Sequence, residues 1–163
     1  METPQLSDEA YEIAETVSRR AQKAGLTVAT AESLTCGQVA AHLGAASSSS
    51  SWFRGGVVAY DDEVKYKVLG VPRGRVISED CGTAMAEGVR RLLDADVAVA
   101  VTGVGGPDEQ EGQPPGTVYI AVAGADGGTC RHHRFDGDPK EVLTATALEA
   151  LKALATQMDS GRP

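Results

Sequence analysis

Residues 27–35 read Thr-Val-Ala-Thr-Ala-Glu-Ser-Leu-Thr, and this stretch decides the fold. Its first five residues, Thr27–Ala31, are small or β-branched, which predicts a short buried strand. Val39, Ala40 and Leu43 then follow at helical spacing, so the strand leads straight into a helix. A strand that enters a helix through a short turn is typical of α/β proteins, whose ligands collect at the carboxyl ends of the strands.

A second stretch, Val97–Val101, consists only of valine and alanine, which is typical of a strand covered on both faces. A loop rich in glycine and proline follows it and reaches Pro115. Further strands are predicted at Val57–Tyr60 and as a late hairpin around a turn that contains Asp126 and Gly127, with the arms Thr117–Ala123 and Thr129–Phe135.

The helices have recognisable ends. The first helix has Ser7 as its N-cap, Leu6 and Tyr11 as a hydrophobic staple, and Gly25 as its stop. Besides the helix that follows residue 35, a short helix is predicted over Asp61–Leu69, and Ser78 caps a longer one with Met85, Val89 and Leu92 on one face. The last helix has Asp138 as its N-cap and Pro139 in its first turn.

Strands therefore alternate with helices first, and an antiparallel hairpin comes late. This order predicts the α/β class, as a single-domain three-layer α/β/α fold with a mixed sheet. We expect one domain over residues 1–163, with a core over about 8–155 and a flexible tail at 159–163. The five serines Ser47–Ser51 predict a flexible loop by composition.

Composition excludes several classes of function. The formal net charge of −8 opposes a phosphate backbone, so we expect no nucleic-acid partner. No run approaches the roughly 18 apolar residues of a membrane span, and residues 1–20 contain no signal-peptide core, so we expect no membrane partner and a cytoplasmic location. The three cysteines are widely spaced, and no metal-ligand spacing occurs, so neither a disulfide framework nor a metal or other cofactor is expected.

The turn after the first strand is the first candidate site. Ser33 and Thr35 lie where unpaired N–H groups and the helix dipole favour an anion or a developing oxyanion. The alternative is that either side chain simply caps the helix that follows.

The second candidate site joins the serine run to Tyr60 and Lys65. A serine hydroxyl is a weak nucleophile and needs a base, which a lysine provides where burial or another cation lowers its pKa. Tyr60 ends a predicted strand and Lys65 opens the next helix, so both can face one cleft at the edge of the sheet. The alternative is a surface lysine and a structural tyrosine.

The third candidate site is the segment Val101–Pro107, where Thr102, Gly103 and Gly106 follow a central strand. Glycines there let the backbone approach a ligand closely. The pattern does not match a dinucleotide fingerprint, because the third glycine is missing and a loop follows instead of a helix. The basic stretch Arg131–Arg134 on a predicted edge strand is interpreted as solvated surface or subunit contact, not as a metal site.

Six motifs, taken in order, resemble the CinA C-terminal domain family over residues 8–155. They are Thr30-Ala31-Glu32-Ser33-Leu34-Thr35, Trp52 to Tyr60, Lys65 with Leu69-Gly70-Val71, Val76-Ile77-Ser78 with Met85-Ala86 and Gly88, Val101-Thr102-Gly103 with Gly106-Pro107, and Pro115 to Tyr119.

The resemblance implies a nicotinamide mononucleotide amidohydrolase of pyridine nucleotide salvage in NAD metabolism, which needs no metal and releases ammonia as the carboxamide becomes a carboxylate. It implies a homo-oligomer and, since the family's additional amino-terminal domain is absent here, a stand-alone deamidase. The implied catalytic residues are Ser50, Tyr60 and Lys65, with Ser33 as a further polar residue; within the serine run Ser49 is adjacent to Ser50. The implied substrate-binding residues are Thr35, Ser49, Gly55, Gly56, Thr102, Gly103, Gly106 and Thr117.

The chain departs from the family pattern at several positions. Cys36 replaces the first glycine of a Gly-Gly pair, and Ser48 stands where the serine loop usually has glycine. Pro139 and Leu143 stand where the family usually has arginines, and Gln113 where it often has lysine. Loss of basic groups weakens phosphate recognition. The alternative function is therefore a catalytically inactive nucleotide-binding or regulatory module on the same fold.

Overall fold

The computed structural model describes residues 7–160. In that range the elements are, in chain order, α1 (Asp8–Ala24), β1 (Val28–Glu32), α2 (Gln38–Ala45), α3 (Ser49–Trp52), β2 (Phe53–Val58), α4 (Asp62–Leu69), α5 (Glu79–Leu92), β3 (Val97–Gly103), β4 (Thr117–Gly124), β5 (Gly127–Arg134) and α6 (Pro139–Ser160).

The alternation of valine and alanine in β3 governs how the layers pack. Val97, Val99 and Val101 join one apolar cluster, which α1, α2 and α6 cover. Ala98 and Ala100 point to the opposite face and join the cluster that α4 and α5 cover. Because successive side chains of a strand face opposite ways, one strand serves both cores, and β3 is buried at every residue. The predicted three-layer α/β/α class with a mixed sheet is confirmed.

The strand order brings three carboxyl ends to one edge of the sheet. The five strands run β2-β1-β3-β4-β5, with β1 parallel to both β2 and β3 and the last two pairings antiparallel. Glu32, Val58 and Gly103 therefore end their strands side by side. The segments that follow them begin at this carboxyl edge, which is the edge where α/β proteins hold their ligands.

Most predicted helix ends are confirmed. The Ser7 hydroxyl accepts a hydrogen bond from the Ala10 N–H at 3.2 Å, and Gly25 ends α1 at φ 67°. Side-chain oxygens of Asp61, Ser78 and Asp138 accept N–H groups in the first turns of α4, α5 and α6. The predicted staple partner Leu6 lies outside the described residues.

Two predictions between residues 47 and 60 are wrong. The serine run is not all loop, because Ser49–Trp52 forms the short helix α3. Trp52 anchors that helix, since its ring is buried and its Nε1 donates to the Ser47 carbonyl at 3.1 Å. The next strand begins at Phe53 and ends at Val58, earlier than predicted, because residues 53–58 pair with β1 although two of them are glycines.

Smaller differences occur at other ends. Strand β1 runs one residue later than predicted, and β5 begins and ends earlier. Leu92, predicted on the buried face of its helix, is 51% exposed because α5 ends there. Asp159, assigned to a flexible tail, lies inside α6, which continues to Ser160.

Ser48 provides a test of the local backbone. Its φ of 54° lies in the left-handed region, which costs a residue with a Cβ about 1–2 kcal/mol. We expect Ser48→Gly to raise the free energy of unfolding by about 0.5–1 kcal/mol in urea titrations, after the entropy cost of glycine. The matched control Ser51→Gly, inside α3, is expected to lower it by a similar amount. Equal destabilisation by both variants would contradict the assigned backbone.

Candidate active site

A cavity of about 440 Å³ opens at the carboxyl edge of the three parallel strands. It is built from the turn after β1, the turn before α4 with the first turn of that helix, the segment before α5, the loop after β3 and the first turns of α6. The lining residues are Ser33, Leu34, Tyr60, Lys65, Val76, Ile77, Gly103, Val104, Gly105, Gly106, Pro107, Asp108, Glu109, Gln110, Pro139 and Leu143. Three polar residues expected at the site, Ser33, Tyr60 and Lys65, therefore surround one space.

Glu32 organises the turn that presents Ser33. Its side chain is 1% exposed, and its carboxylate accepts the N–H groups of Val39 at 2.9 Å and Ala40 at 3.0 Å. Thr35 donates its hydroxyl to the same carboxylate at 2.6 Å. Glu32 thus caps α2 from the preceding strand, a favourable place for a negative charge.

This arrangement shows that the hydroxyls of Ser33 and Thr35 do not cap α2, which was the alternative interpretation of both residues. Neither the Ser33 hydroxyl nor the Thr35 hydroxyl accepts an N–H of α2, because the Glu32 carboxylate accepts those of Val39 and Ala40. Thr35 is fully buried and supports Glu32, and it is not among the cavity residues. Ser33 is 7% exposed and lines the cavity. The occupied N–H groups of α2 are not available to an oxyanion.

Lys65 contributes the buried amine of the site. Its side chain is only 2% exposed, and its Nζ donates to the Tyr60 carbonyl at 3.0 Å. Asp62, one turn earlier on α4, places Oδ1 3.5 Å from that Nζ. These two contacts hold the amine at the cavity wall. Tyr60 itself is 66% exposed, so its ring stands at the mouth.

The structure does not bring Ser50 to Lys65. Ser50 lies in α3, which immediately precedes the first residue of β2, whereas Tyr60 and Lys65 follow the last residue of β2. Six strand residues at about 3.3 Å each put roughly 15 Å or more between the two ends. The expected contact between the Ser50 hydroxyl and the lysine therefore does not form within one chain. Ser49 is on the same helix, and its hydroxyl donates to the Gly44 carbonyl.

The other expected binding residues divide into two groups. Gly103 and Gly106 line the cavity. The hydroxyls of Thr102 and Thr117 donate to backbone carbonyls, those of Val76 at 2.6 Å and Pro114 at 2.8 Å respectively.

Gly55 and Gly56 are strand residues of β2. A Cβ on Gly56 would collide with the side chain of Thr30 on β1, so this glycine serves strand pairing and not ligand approach.

Glu111 holds the loop that forms one wall of the cavity, and no pattern in the sequence indicated this role. Its carboxylate accepts the N–H of Val76 at 3.0 Å and that of Ile77 at 2.8 Å. Gln113 adds a bond from its Nε2 to the Ile77 carbonyl at 2.6 Å. The loop after β3 is therefore tied to the segment before α5, and both contribute cavity residues.

The residues that replace family arginines lie at the cavity. Pro139 and Leu143, both in α6, form an apolar wall. Asp108 and Glu109, which sequence analysis did not single out, are exposed at the rim. The cavity thus combines one buried amine with two carboxylates and an apolar wall.

Another cavity of about 360 Å³ lies between β4, β5 and α6, and its described lining includes Arg131, His133, Glu149 and Lys152 but no serine or tyrosine. A depression of about 760 Å³ at the opposite edge, near Arg20 and Asp96, has no serine, lysine, cysteine, histidine or tyrosine in its described lining. No group of three His, Cys, Asp or Glu residues in the described range could hold a metal ion. No helix in that range has both the length and the apolar composition needed to cross a bilayer.

The histidines of β5 are structural in character. His132 stacks on Tyr119 with ring centroids 4.9 Å apart, and His133 stacks on Phe135 at 5.4 Å. Burial, with the neighbouring positive charges, lowers the pKa of His133. Strand β5 is the edge strand of the sheet, as predicted for the basic stretch.

A family model described as the CinA C-terminal domain matches residues 10–158. A competence-damage inducible protein of Desulforamulus reducens is 45% identical over 134 residues, which are 79% of this chain and 33% of that protein. A CinA-like protein of Geobacter sulfurreducens is 38% identical over 148 residues, which are 87% of this chain and 36% of that protein. The chain thus spans about a third of the length of these curated relatives.

A solved structure has the same architecture. The crystal structure of the competence damage-inducible protein A from Klebsiella pneumoniae superposes with a TM-score of 0.90 at 33% identity. The superposition covers 94% of this chain and 99% of the Klebsiella chain.

The Glu32 cap can be tested by one isosteric change. Glu32→Gln replaces an oxygen acceptor of backbone N–H groups with an amide whose NH₂ cannot accept them, and it removes the charge at the start of α2. We expect the free energy of unfolding to fall by about 2–3 kcal/mol in urea titrations. The matched control Glu12→Gln, on an exposed position of α1, is expected to change it little. Equal stability of the two variants would contradict the cap.

The three thiols are expected to differ in reactivity. Burial raises the pKa of both Cys81 and Cys130 to about 11, whereas Cys36 is exposed. Because the thiolate is the reactive form, iodoacetamide at pH 8 is expected to modify Cys36 alone in the native protein and all three thiols in urea. Mass spectrometry of the peptides gives the site. Fast native modification of Cys81 would contradict the described core.

Proposed function

The chain belongs to the CinA C-terminal domain family, and from this premise, with the cavity, we propose that it is a hydrolase that converts the carboxamide of nicotinamide mononucleotide to a carboxylate and releases ammonia. The observation that carries the proposal is one cavity lined together by Ser33, Tyr60 and Lys65. A hydroxyl beside a buried amine is the minimum set for nucleophilic attack on an amide without a metal.

Ser33, not Ser50, is the nucleophile in this proposal. Support comes from the shared lining of the cavity and from the position of Ser50 beyond the opposite end of β2. No direct hydrogen bond joins Ser33 to Lys65 within residues 7–160, so the proposed proton transfer requires these two groups to approach each other when the substrate binds. Such contacts commonly tighten only in the substrate complex.

The reaction then proceeds in two balanced steps. The Ser33 Oγ bonds to the amide carbon while its proton passes to the Lys65 amine, and the C–N bond breaks as that proton goes to the leaving nitrogen, giving ammonia and an ester on Ser33. Water then attacks the ester, with Lys65 as base, and the Ser33 hydroxyl is restored as the carboxylate leaves.

Two further groups assist the reaction. Backbone N–H groups of the turn at Ser33 and Leu34 are the donors for the oxyanion, and one such donor is worth about 3 kcal/mol. The Tyr60 hydroxyl, at the cavity mouth, assists the departure of ammonia.

The alternative, a catalytically silent nucleotide-binding module, rests on the apolar Pro139 and Leu143 where basic residues are expected. It predicts binding without ammonia release. A coupled ammonia assay on pure protein with nicotinamide mononucleotide separates the two functions.

Three variants test the assignment of roles. Ser33→Ala and Lys65→Met, which keeps the apolar stem of the lysine, are each expected to lower kcat by about 10³-fold, because both steps need the nucleophile and the base. Ser50→Ala is expected to keep turnover within about twofold, because Ser50 is exposed and lies in α3, beyond the end of β2 that is far from Lys65. Circular dichroism confirms that each variant folds.

The opposite activities of the two serine variants would contradict the assignment of Ser33. Loss of turnover in Ser50→Ala with activity retained in Ser33→Ala would show that the serine run supplies the nucleophile, and a second copy would then have to bring it to Lys65.

A further inference from the structure

The cavity has few basic side chains to offer a phosphate. Lys65 is the one basic side chain in its described lining, and its Nζ already contacts the Tyr60 carbonyl and the Asp62 carboxylate. Asp108 and Glu109 add two carboxylates at the rim. Phosphate binding generally relies on arginine or lysine groups or on free backbone N–H groups.

Both helix starts near the cavity are already occupied by carboxylates of the chain. Glu32 accepts the Val39 and Ala40 N–H groups of α2. Asp138 accepts the Glu141 N–H of α6 at 2.9 Å, and Pro139, the first residue of that helix, has no N–H. A phosphate at either helix start would have to displace an internal anion. The helix dipoles that often hold phosphates are therefore not available here.

The remaining wall favours an apolar or cationic group. Pro139 and Leu143 would strip water from a phosphate without replacing its hydrogen bonds, which is unfavourable. By contrast, a pyridinium ring carries a positive charge and an apolar body. The exposed ring of Tyr60 can lie against such a cation, and the rim carboxylates attract it.

We infer that this site prefers a pyridinium carboxamide ribonucleoside, which has no phosphate, to the phosphorylated mononucleotide. The inference rests on the proposed function for its chemistry, and it assigns the substrate class from the charges of the cavity. Leu143 and the rim pair Asp108 and Glu109 are then the residues that set specificity.

The test compares two substrates on the full chain at low ionic strength. The nucleoside, nicotinamide riboside, is expected to have a kcat/KM about tenfold above that of nicotinamide mononucleotide, since the two rim carboxylates repel the phosphate that only the mononucleotide carries. The advantage is expected to shrink in 0.5 M salt, because screening weakens attraction and repulsion at the rim. A tenfold preference for the mononucleotide would overturn the inference and leave the hydrolase activity intact.

A gain of phosphate recognition provides a second test. Leu143→Arg places a guanidinium in the wall and is expected to raise kcat/KM for the mononucleotide about tenfold relative to the nucleoside. The matched control Thr144→Arg adds the same charge one residue along, on an exposed position outside the lining, and is expected to leave the ratio unchanged. An equal shift in both variants would contradict the role assigned to the wall.

Binding separates failure of the inference from failure of the function. If neither ligand releases ammonia, the proposed hydrolase is wrong, and calorimetry on the wild-type chain still compares the two affinities. Tighter binding of the nucleoside then supports the inference, while equal binding, tighter binding of the mononucleotide or no binding of either ligand overturns it. If turnover interferes, Ser33→Ala serves for the same measurement.

Discussion

The candidate site depends on one buried carboxylate. Glu32 ends a central strand and takes the first N–H groups of α2 together with the Thr35 hydroxyl. A buried charge is stable only when such partners surround it. This requirement fixes the path of the chain between strand and helix, and the next residue, Ser33, is consequently held at the cavity. Because Glu32 caps α2, the Ser33 hydroxyl does not cap that helix, as serines at helix starts usually do.

The rest of the molecule holds other segments against that turn. The valine and alanine faces of β3 let helices pack on both sides of the sheet, so the three parallel carboxyl ends form one rigid edge. Lys65 reaches this edge from α4, and Glu111 ties the loop after β3 to the segment before α5. The cavity is therefore assembled from five separate parts of the chain.

Local signals in the sequence predicted much of this arrangement. The strand at Val97, the caps at Ser7, Ser78 and Asp138 and the hairpin all follow from short-range rules of spacing and turn chemistry. Tyr60 and Lys65 were expected to share a cleft because one ends near a strand and the other opens a helix, and they do line one cavity.

The features that the sequence predicted wrongly or missed depend on long-range packing. The serine run reads as loop by composition, yet Trp52 is buried and ends a short helix there. Which edge of the sheet receives Ser50 follows from the pairing of β2 with β1, which no local pattern encodes. The family resemblance implies roles for both Ser33 and Ser50, but it contains no information on the distance between them. Glu111 was missed because a carboxylate in a glycine-rich loop resembles any solvated residue until its backbone partners are known.

The most direct measurement of the central claim is to locate the covalent intermediate. After rapid acid quenching of the wild-type chain with its carboxamide substrate, tandem mass spectrometry of the peptide that contains residues 24–54 identifies the esterified serine. The account predicts the acyl group on Ser33. An acyl group on Ser49, Ser50 or any other serine of the run would contradict it.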